Sequence, residues 1–153
     1  MDPHDRVVGW SMAGKVLAAG ASKMGPVACI WRYDAGSPYI LRLIIDPKGR
    51  ALEWIIGRDL LRDGCNQLVA YQASDIRLYP YTMYPPGGSL IETLCIELST
   101  PDGEASLFFR LAEMREILGE TEKRVAFGAE ADAQPVPEPG YFLTKGAGAS
   151  EDV

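Results

Sequence analysis

Acid–base and nucleophilic chemistry leans most often on histidine, and this chain of 153 residues holds one, His4. A Ser–His or Cys–His pair has no other imidazole to serve as its base. Histidine-dependent zinc sites fail for the same reason. His4 stands six positions before Trp10, the first plausible core residue, on a stretch that reads as a frayed end. Cys29, Cys65 and Cys95 show neither CxxC nor CxH spacing. Cys29 and Cys95 sit in apolar runs, where a free thiol behaves as a small hydrophobe. An odd count also speaks against a disulfide framework.

Carboxylates can carry acid–base work alone, and the candidates are Asp46, Glu53, Asp59, Asp75, Glu92 and Glu97. Each lies beside a turn or on a strand face, and no recognisable motif flanks any of them, so solvated strand faces are the expectation. Phosphate-cradling loops of the GxxxxGK or GxGxxG type are missing, and GlyAlaGly at 146–148 has no helix after it. No catalytic, metal-binding or cofactor-binding residue is therefore assigned, and no cofactor is expected. One group has a binding character: Arg77, Tyr79 and Tyr81 alternate along one strand, with Arg32 and Arg42 on others. Arg beside aromatic rings can stack bases, and the same types are enriched at protein interfaces. Ordinary half-exposed strand residues are the plainer reading.

Charge narrows the classes further. The chain carries −6 with a pI near 4.8, which argues against nucleic acid because counterion release needs clustered Lys and Arg. The balance is uneven: residues 1–125 hold 16 acids and 14 bases, or −2, whereas residues 126–153 hold five acids and one base, or −4. No run of 18 apolar residues occurs, so no membrane insertion is expected and the chain reads as cytoplasmic. The length fits one domain.

The elements that would position these residues follow from period and punctuation. Strands are expected at Val7–Leu17, Pro26–Tyr33, Tyr39–Ile45 and Ala51–Ile56, with turns at 34–38 and 46–49. Trp10, Trp31 and Trp54 fall in separate strands and read as core. Arg58–Asp63 reads as a short helix stopped by Gly64 in the left-handed conformation. Alternation returns at Asp75–Tyr81, then at Ile91–Leu98 and Glu104–Arg110, the last two joined by SerThrProAspGly. From 111 to 125 the period is helical, with Leu111, Met114, Leu118 and Val125 on one stripe and Ile117 beside it. After Phe127 the Pro, Gly, Ala and acidic content reads as a flexible tail. The organisation is thus an extension at 1–6, a domain at 7–125 and a tail at 126–153, in an α+β pattern of antiparallel strands with one short and one longer helix. The strand–helix order repeats roughly once.

Four segments, in order, resemble the SsgA/SsgB-like family of sporulation-specific cell-division proteins of actinobacteria. ArgTyrAspAlaGlySerProTyr (32–39) resembles the family's RYD…DPY stretch. GluTrpIleIleGlyArgAspLeuLeuArgAspGly (53–64) resembles its E-W-x-x-x-R-D-L-L-x-x-G signature, the most specific of the four. AspIleArgLeuTyrPro (75–80) resembles its D-V-R-V-x-P strand, and 95–107 its late hairpin, with Pro101 and Gly103 at the turn.

That resemblance implies two packed antiparallel sheets similar to the whirly fold, assembled as a homotrimer or similar oligomer. It implies a non-enzymatic adaptor that helps position the septum, recruits or organises FtsZ, works with other SsgA-like or septal proteins, and is drawn from the cytoplasm to the septum. Arg58 and Asp59 of the signature join Arg77, Tyr79 and Tyr81 as candidate partner contacts. Trp54, Leu60, Leu61, Gly64, Pro101 and Gly103 form its structural part. A single-stranded nucleic-acid-binding role is the alternative that the whirly likeness carries.

Overall fold

The computed structural model describes residues 6–18, 20–46, 49, 51–70, 75–100 and 103–133. Period-two stretches become eight strands: β1 (Val7–Ala18), β2 (Gly25–Asp34), β3 (Ile40–Ile45), β4 (Leu52–Gly57), β5 (Val69–Ala70), β6 (Ile76–Met83), β7 (Ile91–Thr100) and β8 (Gly103–Arg110). The period-3.6 stretches become α1 (Arg58–Gly64) and α2 (Leu111–Arg124), and a single turn, α3 (Glu130–Ala133), follows. The chain therefore runs through four strands and a helix twice over. Pro101, expected at the β7–β8 turn, lies outside the described residues, as do His4 and residues 134–153. Gly103 at that turn has φ 131°, a conformation that glycine alone adopts readily.

The expectation of two packed sheets is corrected: the strands form one sheet in the order β4-β3-β2-β1-β8-β7-β6-β5, antiparallel at every pairing. Each half is a meander, and the halves meet where Lys15–Ala18 of β1 pairs with Ala105–Phe108 of β8. At 12 residues, β1 reaches beyond what one neighbour's register requires, so Val16 pairs with Gly25 on one side and Leu107 on the other. Strand twist accumulates over eight strands and curls the sheet into a half-barrel.

The inner face carries the core. Trp31, Tyr33, Leu41, Leu43 and Ile56 from one half, and Ile76, Leu78, Leu94, Ile96 and Phe109 from the other, are buried almost completely. Trp31 and Phe109 meet edge to face at 5.4 Å. Leu60 and Leu61 of α1, with Leu111, Met114, Ile117 and Leu118 of α2, are buried in the same cluster. Each such side chain contributes about 1.5–3 kcal/mol, whereas exposed ion pairs such as Arg6–Asp34, 2.8 Å apart, contribute about 0–1 kcal/mol. Apolar burial decides the fold.

Gly64 corrects another expectation. It ends α1, but it is not left-handed: among the described glycines positive φ occurs at Gly20, Gly87, Gly103 and Gly128. Its requirement is space, since a Cβ there would lie 2.7 Å from the Cβ of Leu78. The missing side chain lets α1 sit down on β6.

Candidate functional site

Two groups of polar residues are assembled by this frame, one inside and one on the open face of the sheet. The inner group centres on Arg58. β4 ends at Gly57, and Arg58 begins α1 with its side chain fully buried. One terminal nitrogen donates to the Val125 carbonyl at 2.6 Å and reaches the Thr121 carbonyl at 3.4 Å. The other donates to Glu130 Oε2 at 2.7 Å and to the Ala126 carbonyl at 3.3 Å. The guanidinium also lies 4.2 Å from the Phe127 ring centroid and 5.5 Å from that of Tyr33.

A buried cation is tolerated only when paired and hydrogen-bonded, and here the far end of α2 and the turn after it supply both. Burial opposes charge on Glu130, but the Arg58 hydrogen bond, backbone donors and the Arg58 charge outweigh it and hold the carboxyl below its ordinary value. Gly128 N–H donates to the other Glu130 oxygen at 2.9 Å.

Two expectations change with this geometry. Arg58 is placed in the interior, where it ties α1 to the end of α2, and offers no surface to a partner. Residues 126–133, assigned to the tail, pack against it through Phe127 and Glu130, so the boundary at 125 falls too early. Asp59 behaves as expected of a surface residue: its side chain is 47% exposed and lies 3.6 Å from Arg62. Trp54, Leu60 and Leu61 are buried.

The outer group lies on β6 and its neighbours. Arg77, Tyr79 and Tyr81 alternate on the face away from the helices, as the spacing predicted. Cross-strand register places Glu97 opposite Arg77, Cys95 opposite Tyr79 and Thr93 opposite Tyr81. Arg77 pairs with Glu97 Oε1 at 3.1 Å, and the Tyr79 hydroxyl donates to the second oxygen of the same carboxylate. Burial, then hydrogen bonding to Cys95 and Glu97, raises the Tyr79 phenol above its ordinary value. Tyr81 is 43% exposed and its ring rests 5.4 Å from that of Phe108 on β8. Arg32 and Arg42 stand directly opposite each other on β2 and β3, far along the sheet order from β6, and Arg42 pairs with Glu53 at 3.5 Å.

Glu97, a carboxylate expected on a solvated strand face, is the residue that turns this row into a network. Its signal was its position, since the strand–hairpin spacing that pairs β6 with β7 sets it across from Arg77. Tyr84 and Leu90, in the connection between those strands, are 74% and 59% exposed.

Burial pushes the thiols of Cys29, Cys65 and Cys95 up to about 11, so they are protonated and act as packing groups. Among the described residues no group of three or more His, Cys, Asp or Glu is placed to hold a metal ion. No helix among them is long and apolar enough to cross a membrane.

A curled antiparallel sheet with helices on its inner face and a charged, aromatic outer face defines a class of α+β scaffold that presents side chains on a rigid frame. The sequence profile described as Streptomyces sporulation and cell division protein, SsgA, matches residues 27–130. The chain belongs to that family of sporulation and cell-division proteins. The sporulation-specific cell division protein SsgB of Streptomyces coelicolor is 30% identical over 115 residues, covering 74% of this chain and 79% of that one. SsgB of Saccharopolyspora erythraea is 33% identical over 130 residues, covering 83% and 85%. A solved structure of SsgB, reported in connection with longitudinal cell division during sporulation of Streptomyces coelicolor, aligns with a TM-score of 0.73 at 25% identity over 83% of this chain and 94% of that one. An SsgA-like sporulation-specific cell division protein of Thermobifida fusca aligns with a TM-score of 0.71 at 23% identity over 84% and 89%, a likeness of fold alone.

Proposed function

We propose that this chain is a non-enzymatic adaptor in sporulation septation, which helps position the septum and recruits or organises FtsZ through protein–protein contacts. Membership in a sporulation and cell-division family across residues 27–130 carries the proposal. The outer face supports it: Tyr81 offers exposed aromatic surface, and Arg77, Tyr79 and Glu97 offer a polar rim. The same reading includes a likeness to whirly proteins and assembly as a homotrimer or similar oligomer, both of which come from the family resemblance.

The nucleic-acid alternative is the weaker reading. A stacking platform draws its affinity from uncompensated cations beside free rings. Glu97 compensates Arg77, and Tyr79 is half-buried and hydrogen-bonded.

A fluorescent fusion of the full chain in sporulating filaments tests the proposal. Regularly spaced bands at the sites of septation are expected. Diffuse fluorescence throughout septum formation would overturn it, and so would a septal pattern unaffected by removal of the FtsZ ring.

A further inference from the structure

A shallow cleft of about 460 Å³ opens between the end of α1 and one side of α2. Arg115, Gly119 and Glu122 line it from α2, at spacings of four and three that put them on one helix face. Arg62, Leu118 and Phe127 complete the wall.

Arg115 donates to the Cys65 carbonyl at 3.1 Å and to the Asn66 side-chain oxygen at 3.2 Å. Both acceptors are neutral, and no carboxylate pairs with Arg115 among the described residues. Its guanidinium is thus held in place with its charge uncompensated, and a planar fork of this kind suits a carboxylate. Arg62 differs, since Asp59 and Asp63 lie at 3.6 and 3.1 Å and its guanidinium braces the Phe127 ring at 4.8 Å. Gly119 is exposed in the middle of α2, and a Cβ there would meet nothing within 4 Å. Glycine is unfavourable inside a helix, and no neighbour among the described residues requires it. An empty, unfavourable glycine beside an uncompensated arginine fits close approach by a second backbone.

The geometry points to this cleft as the docking site for an acidic peptide segment of a partner protein. Its carboxylate pairs with Arg115, an apolar side chain rests against the partly exposed Phe127, and its backbone passes over Gly119. The occupant follows from charge, because a cation without a carboxylate partner is matched by a segment of opposite sign even though the chain as a whole carries −6. Glu122 lies about 10 Å along the helix from Arg115 and repels a second acid there, so the carboxylate sits at the Arg115 end of the cleft. The inference rests on the adaptor reading and names the surface through which one contact is made.

Fluorescence anisotropy of a short labelled peptide carrying Asp and Phe side chains, against a copy with Asn for Asp, tests it on the full chain. The acidic peptide is expected to bind, to weaken as salt rises, and to lose affinity by about tenfold or more in Arg115→Glu and in Gly119→Trp. Lys15→Ala, at an exposed position of β1 outside the cleft, is expected to bind as the parent does. Circular dichroism checks that each variant folds, and Arg115→Lys, which keeps the charge, should retain part of the affinity. Equal binding of the Asn copy, an unaffected Arg115→Glu variant, or no binding of the acidic peptide overturns the inference. Tighter peptide binding by the full chain carrying Glu138→Gln and Phe142→Ser would assign the cleft to the chain's own C-terminal residues. Loss of self-association in Gly119→Trp would assign it to a second copy. Either result overturns a partner peptide as the occupant. The assay contains no division protein, so its failure leaves co-sedimentation with FtsZ standing, and the two readings fail separately.

Discussion

Arg58 shows how a signature residue can read as a contact and serve as an anchor. Its guanidinium is satisfied by carbonyls of residues 121, 125 and 126 and by Glu130, at the cost of a buried Nε without a partner. Removing one member of a buried pair leaves the other charge uncompensated, so Glu130→Gln is expected to destabilise the fold by about 3–5 kcal/mol in urea melts near neutral pH. The pair also makes stability pH-dependent. Because the folded Glu130 value is lowered, its contribution is fully present above the unfolded value, about 4.3. That contribution is lost as pH falls through the folded value. Urea melts at falling pH are therefore expected to converge for the parent and Glu130→Gln. A constant gap between them would show that Glu130 is not charged in the native state.

Elements were legible wherever a periodic run was long and bounded by turn residues. The expected strands and both main helices recur with ends moved by a residue or two, because alternation at Val27–Tyr33 and Leu41–Ile45, or the stripe from Leu111 to Leu118, reports directly on which face is buried. β5 and α3 escaped because two and four residues are too short to show a period. Gly64 was placed correctly at the end of α1 for the wrong reason, since a helix stop and a close approach leave the same letter in the sequence. Gly64→Ala is accordingly expected to cost about 1–3 kcal/mol, because a methyl group is forced against Leu78. An unchanged urea midpoint would remove the close-approach argument. Gly119 predicts the opposite sign: with open space around it, Gly119→Ala should stabilise the chain by up to about 1 kcal/mol and raise its melting temperature. A fall in melting temperature would mean that something in the native state does need that glycine.

At the scale of the molecule, the single sheet was not readable from the sequence. Whether two meanders stack or join depends on the four-residue pairing of β1 with β8, a contact between segments some 90 residues apart that no local pattern encodes. The candidate site was half legible for a related reason. The row of Arg77, Tyr79 and Tyr81 lies on one strand and shows in its spacing, whereas Glu97, Glu130 and the cleft at Arg115 exist only once strands and helices are brought together. Assembly belongs to this scale too. Light scattering of the full chain is expected to give a mass near three chains, and a monomer across the accessible concentrations would remove the homotrimer from the account.

The central claim is an adaptor that engages the division ring, and co-sedimentation of the full chain with polymerising FtsZ tests it most directly. The account predicts that pelleted chain rises with polymer and saturates, and that it stays in the supernatant when FtsZ is kept unpolymerised. An equal amount in the pellet with and without polymer, across the titration, would contradict it.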